Sequence, residues 1–279
     1  MPLGALWDGR QYLIERFNVV VLTLASRSKV AVTPQPAAQW RGLGVGVSQP
    51  WESFSPLPAV PAELRAIIRQ EDDAQQQGVV PGRRLLDGEF TQTALERALG
   101  RYPVIHIASH FSFEAGAEKG SFLLLGDGNR YTLDEVKTAT PLFSGVELLT
   151  LSACNTAIGG ERNGEEVEGL GMLAQRQGAL AVVASLWAVA DESTARLMQQ
   201  FYRNRIGNQK LTKAEALRQA QLALLKGDIK PADGSLKPDR SSKLAGEQGK
   251  GLPEFKPVPN APYAHPYYWA PFILIGNWR

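Results

Sequence analysis

Cysteine is almost missing from this chain: its 279 residues include one, Cys154. An intramolecular disulfide is thereby excluded, which fits a reducing compartment, and the thiol's fate becomes a matter of reactivity. Histidine is nearly as scarce, at three residues, so a metal site built from clustered Cys and His ligands has little to draw on and none is expected. No apolar run approaches a bilayer span; the longest near the start, Val19–Ala25, is short and flanked by Arg16 and Arg27. Met1 to Leu6 lacks the basic start and long apolar run of a secretory signal. Formal net charge is +2 with no dominant basic run, so neither a nucleic-acid nor a membrane partner is expected. The chain reads as soluble and cytoplasmic.

Several familiar motifs are also missing. Gly42-Leu43-Gly44-Val45-Gly46 does not complete a dinucleotide fingerprint, and no phosphate loop ending in Gly-Lys-Ser/Thr occurs. There is no Gly-x-Ser-x-Gly elbow. Nucleotide binding and serine hydrolysis are set aside, and no cofactor is expected.

What is present is ordinary globular material, 44% hydrophobic and 21% charged, enough for one large α/β domain. Strand-length apolar runs alternate with helical patterns, the arrangement of a mostly parallel sheet covered by helices. Pro103–Ala108, Val146–Leu151, Ala179–Ser185 and Pro271–Ile275 are nearly continuous in apolar residues, as strands buried on both faces are. Asn18–Leu24 and Gly42–Val47 are weaker strands, and Ser121–Leu133, centred on Gly126-Asp127-Gly128-Asn129, reads as a hairpin. Helices are expected over Pro61–Gln77, Glu166–Gln177 and Asp191–Arg205, with Leu197, Met198, Phe201 and Tyr202 of the last facing the sheet. Capping boxes are read at Thr93 with Glu96 and at Thr212 with Glu215. Residues 227–262 carry repeated Pro, Gly, Lys and Ser, the composition of a flexible insertion. Because apolar sequence resumes at Tyr263–Trp278, the insertion hangs from a single domain over residues 1–279. Within it, 1–100 form an N-terminal half and 101–279 the half with the reactive residues; Met1 leads so quickly into domain sequence that a longer parent protein is expected.

Two segments carry the candidate chemistry. Val104-Ile105-His106-Ile107-Ala108-Ser109-His110-Phe111 and Leu149-Thr150-Leu151-Ser152-Ala153-Cys154-Asn155-Thr156 each run from a buried strand into a reactive residue. In parallel α/β sheets, ligands bind beyond the carboxyl ends of the strands, so neighbouring strands would bring His110 and Cys154 to one edge. A thiol needs a base to become a thiolate and an acid to protonate the leaving amine, and one imidazole serves both. The alternative for Cys154 is a buried apolar thiol. His106, in mid-strand, reads as a hydrogen-bonded core histidine. Asp191 reads as a helix N-cap or as an acidic lining that would favour a basic residue before a scissile bond. Glu165, Glu166 and Glu168 read as the solvated start of a helix, near its positive end.

These segments resemble the CHAT family, caspase-like domains that often accompany tetratricopeptide repeats in bacteria. The similarity runs in order through Ala5-Leu6, Tyr12-Leu13-Ile14-Glu15, His106 to His110, Leu151 to Thr156, Gly178-Ala179, Ser185-Leu186-Trp187, Phe201-Tyr202 and Tyr267 to Phe272. Cys154 follows His110 by 154 − 110 = 44 residues, close to the roughly 50-residue spacing of caspases. The resemblance implies a three-layer α/β/α sandwich and peptide hydrolysis, with Cys154 as nucleophile and His110 as its proton-transfer partner. It implies an oxyanion hole made by the backbone N–H groups of Cys154 and of the residue after the histidine. It also implies an edge at Ser185 to Trp187 that pairs with an extended substrate, although Trp187 fits a core position equally, and control by a linked repeat domain or partner. One position departs from the family's usual glycine: Phe111 follows His110. A phenylalanine still offers an N–H, but its ring narrows the cleft and it does not freely adopt positive φ. A catalytically silent caspase-like interaction module is therefore the rival expectation, and processing within 227–262, at Lys230, Lys237, Arg240, Lys243 or Lys250, is a further one.

Overall fold

The computed structural model describes residues 2–52, 54–70, 72, 77–112, 120–139, 141–152, 165–187, 191–231, 258 and 260–279, with the backbone alone at 165–170 and 191. A central sheet of eight strands runs in the order β1-β11-β10-β9-β5-β2-β4-β3. The strands are β1 (Val20–Val21), β2 (Gly42–Gly46), β3 (Ile68–Arg69), β4 (Val80–Leu86), β5 (Val104–Ala108), β9 (Leu148–Leu151), β10 (Ala181–Ser185) and β11 (Phe272–Gly276). All neighbours pair in parallel except β10 with β11. A separate antiparallel sheet is built from β6 (Phe111–Ser112), β7 (Phe122–Leu124) and β8 (Arg130–Thr132), the expected hairpin forming its last two strands.

Alternation along the strands divides the core into two layers. Leu43, Val45, Ile105, Ile107, Leu149, Val182 and Ala184 face one side. There they pack against Leu95 of α2 (Gln92–Ala98), Leu133 and Val136 of α3 (Leu133–Thr138), and Leu173 and Ala174 of α4 (Glu165–Arg176). Val104, Leu148, Ala181 and Val183 face the other. That side is covered by α1 (Val60–Ile67), α5 (Asp191–Gly207), α6 (Lys213–Lys226) and Trp269 of α7 (Pro266–Trp269). The result is a three-layer α/β/α sandwich, and Leu197, Met198, Phe201 and Tyr202 of α5 lie on the sheet, wholly buried, as expected.

Several expected elements take other bounds. The helix read over Pro61–Gln77 stops at Ile67, and the chain turns at once into β3. β4 was not anticipated, because its sequence Val-Pro-Gly-Arg-Arg-Leu-Leu carries proline, glycine and two arginines; one edge pairs fully with β2 and the other meets β3 only at Val80 and Pro81. The strand expected over Asn18–Leu24 shrinks to Val20–Val21. Thr93 is not a cap: α2 starts at Gln92, and Thr91 accepts from the Ala94 N–H at 3.2 Å. The box at Thr212 and Glu215 forms as expected. Of residues 227–262, Gly227 closes α6 in a left-handed conformation (φ 80°), while 232–257 and 259 lie outside the described residues.

The glycines of β2 have a packing role. A Cβ on Gly42, Gly44 or Gly46 would fall 2.5, 2.9 or 2.5 Å from the side chains of Ile68, Ile68 or Val60. Their absence lets α1 lie close on the sheet, a simpler reason for alternating glycines than a nucleotide.

From β2 the chain passes through α1 to β3 and then β4 on one side, whereas from β5 it passes through the small sheet to β9 on the other. The strand order therefore reverses between β2 and β5, the place beyond whose carboxyl ends open α/β sheets bind ligands. His110 follows β5 at that position.

Candidate active site

His110 leaves β5 and stands 1% exposed at the carboxyl edge of the sheet. Phe54 and Ser55, in the connection that follows β2, lie against it. The Phe54 ring lies 5.0 Å from the imidazole, tilted by 40°, and the Ser55 carbonyl oxygen lies 2.8 Å from Nε2. A carbonyl only accepts, so Nε2 carries the proton, and in the neutral ring Nδ1 holds the lone pair. Burial pushes the imidazole pKa below its ordinary value, and the Ser55 carbonyl offsets part of that shift by favouring the protonated ring. At neutral pH the ring is uncharged and equipped to take a proton at Nδ1. Nothing in the sequence marked Ser55, because it acts through its backbone.

β5 and β9 are parallel neighbours in the register Ile107↔Leu151, and the Ser152 N–H donates to the Ile107 carbonyl at 2.8 Å. His110 and Cys154 each stand three positions beyond that matched pair. Cys154 itself lies outside the described residues.

Phe111 opens β6 and is 8% exposed, its ring in the core on the α2–α3–α4 side of the sheet. Among the described residues, positive φ outside glycine occurs at Glu52 and Asp87, so Phe111 carries no such strain. The Leu124 N–H donates to the His110 carbonyl at 2.9 Å, and Phe111 is paired with Leu123. In an antiparallel ladder this makes 110 and 124 the hydrogen-bonded pair, so the Phe111 N–H points away from β7.

Ser185 ends β10 and is buried opposite Phe272 of β11, while β9 ends at Leu151, opposite Ala184. The Trp187 indole N–H donates to the Tyr267 carbonyl at 3.1 Å, and its ring packs on the α5–α6 core. α5 begins at Asp191, so that residue takes the first helical position; its side chain, like those of Glu165, Glu166 and Glu168, lies outside the described residues.

His106 is a core histidine, as expected, but within a larger polar cluster than the sequence disclosed. Its Nε2 lies 2.9 Å from Glu63 Oε1 on α1, and its Nδ1 lies 3.3 Å from the Tyr202 hydroxyl on α5. The Tyr202 hydroxyl is 2.8 Å from Thr150 Oγ1, and Ser152 Oγ donates to the same Glu63 oxygen. All five side chains are at most 6% exposed. Burial pushes the Tyr202 phenol pKa well up, so it stays protonated. A sequence signal for Glu63 did exist: with Val60, Leu64 and Ile67 it falls on the buried stripe of α1, where a carboxylate demands partners. Among the described residues, no three His, Cys, Asp or Glu side chains converge as metal ligands, and no helix is long and apolar enough to cross a membrane.

Comparison with known proteins places the chain in a family. Two solved structures similar to the chain are the complex of the pro- and mature domains of RgpB from Porphyromonas gingivalis and the Arg-specific cysteine proteinase gingipain R. Identity to the first is 11% with a TM-score of 0.45, over 85% of this chain and 47% of that one. Identity to the second is 9% with a TM-score of 0.45, over 90% of this chain and 50% of that one. The chain thus spans about half the length of either structure. No curated protein matches it significantly. The family model of the CHAT domain matches residues 1–277, essentially the whole sequence, and the chain therefore belongs to the CHAT family.

Proposed function

We propose that the protein is a cysteine endopeptidase in which Cys154 is the nucleophile and His110 its general base and acid. The observation that carries this reading is the tautomer of His110: the Ser55 carbonyl holds the proton on Nε2, so Nδ1 is the basic nitrogen. The shared count of three positions beyond Ile107↔Leu151 supports His110 and Cys154 as partners. Nδ1 takes the proton of the Cys154 thiol, and the thiolate attacks the substrate carbonyl carbon. The oxyanion is held by the backbone N–H groups of Phe111 and Cys154, a role supported by the outward direction of the Phe111 N–H. The imidazolium returns its proton to the leaving amine, and water activated by the same ring releases the acyl group from sulfur. No step requires a cofactor or a metal. Ser185 and Trp187 flank the substrate on the β10 side, and an acidic Asp191 favours a basic residue before the cut. The site works in the reducing cytoplasm, and a linked tetratricopeptide-repeat domain or other protein partner governs access to it.

Peptide-library cleavage tests the reading. Wild type should cleave, Cys154→Ala should abolish turnover, and His110→Ala should lower kcat by about 10²–10⁴-fold. Cleavage that persists undiminished in Cys154→Ala refutes it. Absence of cleavage by wild type, with retained binding to a partner protein, would favour a silent interaction module.

A further inference from the structure

The buried polar cluster does not take part in the proton transfers just described, yet it joins both strands that lead to the proposed catalytic pair. Glu63 reaches the sheet because the glycines of β2 let α1 approach closely. One oxygen of its carboxylate accepts from His106 on β5 and from Ser152 at the end of β9. Tyr202 connects the other nitrogen of His106 to Thr150 of β9. His106 stands four residues before His110, and Ser152 two residues before Cys154. The same stretch of chain presents Ser55, which orients His110, eight residues before Glu63.

We infer that Glu63 is a positioning residue for the proposed peptidase: through the Ser152 hydroxyl it fixes the departure of the chain from β9 toward Cys154, relative to His110. The inference rests on the peptidase reading above. Its chemistry is local. β9 ends at Leu151, and the Ser152 N–H is still held by Ile107, so the backbone there has one strand-type tie. The side-chain bond to Glu63 supplies a second, in a different direction, to a helix rather than to the neighbouring strand. Two ties at one residue fix Ser152 in position and orientation, two residues before Cys154. A carboxylate suits the task because a single oxygen accepts from both donors, which adds one shared atom to the backbone bonds that already join β5 and β9.

The test uses the fact that Cys154 is the only cysteine, so iodoacetamide alkylation reports on it without further mutation. Ser152→Ala removes the hydroxyl while leaving Glu63 and His106 paired, Glu63→Gln keeps the shape but not the charge, and Ser152→Thr restores a hydroxyl. Expected results are a kcat for peptide cleavage lowered about 10–100-fold in Ser152→Ala and Glu63→Gln with KM unchanged. The midpoint of the alkylation pH profile should move toward the ordinary thiol value of about 8.5 in both, and Ser152→Thr should behave as wild type. If Ser152→Ala and Glu63→Gln keep the wild-type kcat and midpoint while melting at lower temperature, the cluster only stabilises the fold and the inference is overturned. It is also overturned if Ser152→Thr matches Ser152→Ala. If wild type and His110→Ala share one unperturbed alkylation midpoint, the peptidase reading itself fails, an outcome distinct from the other two.

Discussion

Removing the carboxylate of Glu147 should be among the most damaging single changes to this fold. Glu147 precedes β9 and is 3% exposed; its Oε1 pairs with Lys213 Nζ at the start of α6, a side chain with no exposure at all. Its Oε2 accepts from the Gln35 N–H at 3.1 Å. In Glu147→Ala the ammonium of Lys213 stays buried with its counter-charge gone, a loss of about 3–5 kcal/mol. The Gln35 N–H loses its acceptor as well, which adds about 1 kcal/mol. A total of about 4–6 kcal/mol corresponds to a fall in melting temperature on the order of 10–20 °C. The double variant Glu147→Leu with Lys213→Met removes both charges and should recover most of the loss, since a well-packed apolar pair often equals a buried ion pair. The pH dependence has a definite sign. Burial already lowers the Lys213 pKa despite the pull of Glu147, and without Glu147 it falls further. Between the folded Lys213 pKa of the variant and the higher one of the wild type, only the variant's folded state has released this proton while its unfolded state keeps it, so the deficit of Glu147→Ala should shrink as pH rises through that interval. Urea titrations of wild type, Glu147→Ala and the double variant, at neutral and alkaline pH, measure these quantities. A single variant within about 1 kcal/mol of wild type, or a double variant no better than the single, would refute the reasoning.

Two further outcomes are expected. Gly82→Ala places a methyl group 1.8 Å from the Gly42 carbonyl oxygen, a backbone atom in the adjoining strand, and should cost about 3 kcal/mol or more by urea unfolding, whereas Gly88→Ala, which meets nothing within 4 Å, should be neutral. Thr212→Ala removes the cap from the Glu215 N–H and the hydroxyl that donates to the Glu215 carboxylate, and should lower stability by about 1 kcal/mol in a thermal melt.

The parts of this molecule that were legible in the sequence are those where one local rule prevails. Val104–Ala108 and Ala181–Ser185 are nearly continuous apolar runs, and both are strands buried along their whole length. Thr212 and Glu215 satisfy a capping rule that involves four residues, and the box is present. Where long-range packing decides, local reading fell short. β4 is a strand because β2 supplies a partner along its length, which overrides the poor strand propensity of proline and glycine. α1 stops at Ile67 because Ile68 and Arg69 pair with β4. At the candidate site, His110 was visible as a residue type at a strand end. Ser55 was not, since a backbone carbonyl carries no sequence signature, and the link from Glu63 to Ser152 spans 89 residues of chain.

β11 sets an order on the assembly of the sheet. It is the last of the described strands in sequence, yet it covers the side of β10 away from β9 and gives β1 its pairing at Val20↔Leu274. The same region of chain is tied down by Asn277, whose side-chain amide donates to the Lys29 and Val32 carbonyls, 248 and 245 residues away. Contacts of such sequence separation are slow to form, because the loop-closure entropy is spent before any of them stabilises the chain. During synthesis, residues 20–32 emerge well before the strand they pair with. Until β11 docks, β10 presents a bare hydrogen-bonding edge of Ala-Val-Val-Ala-Ser to the surrounding solution. Nascent or truncated chains are therefore most prone to pair with one another along that edge, and completion of the sheet removes the hazard.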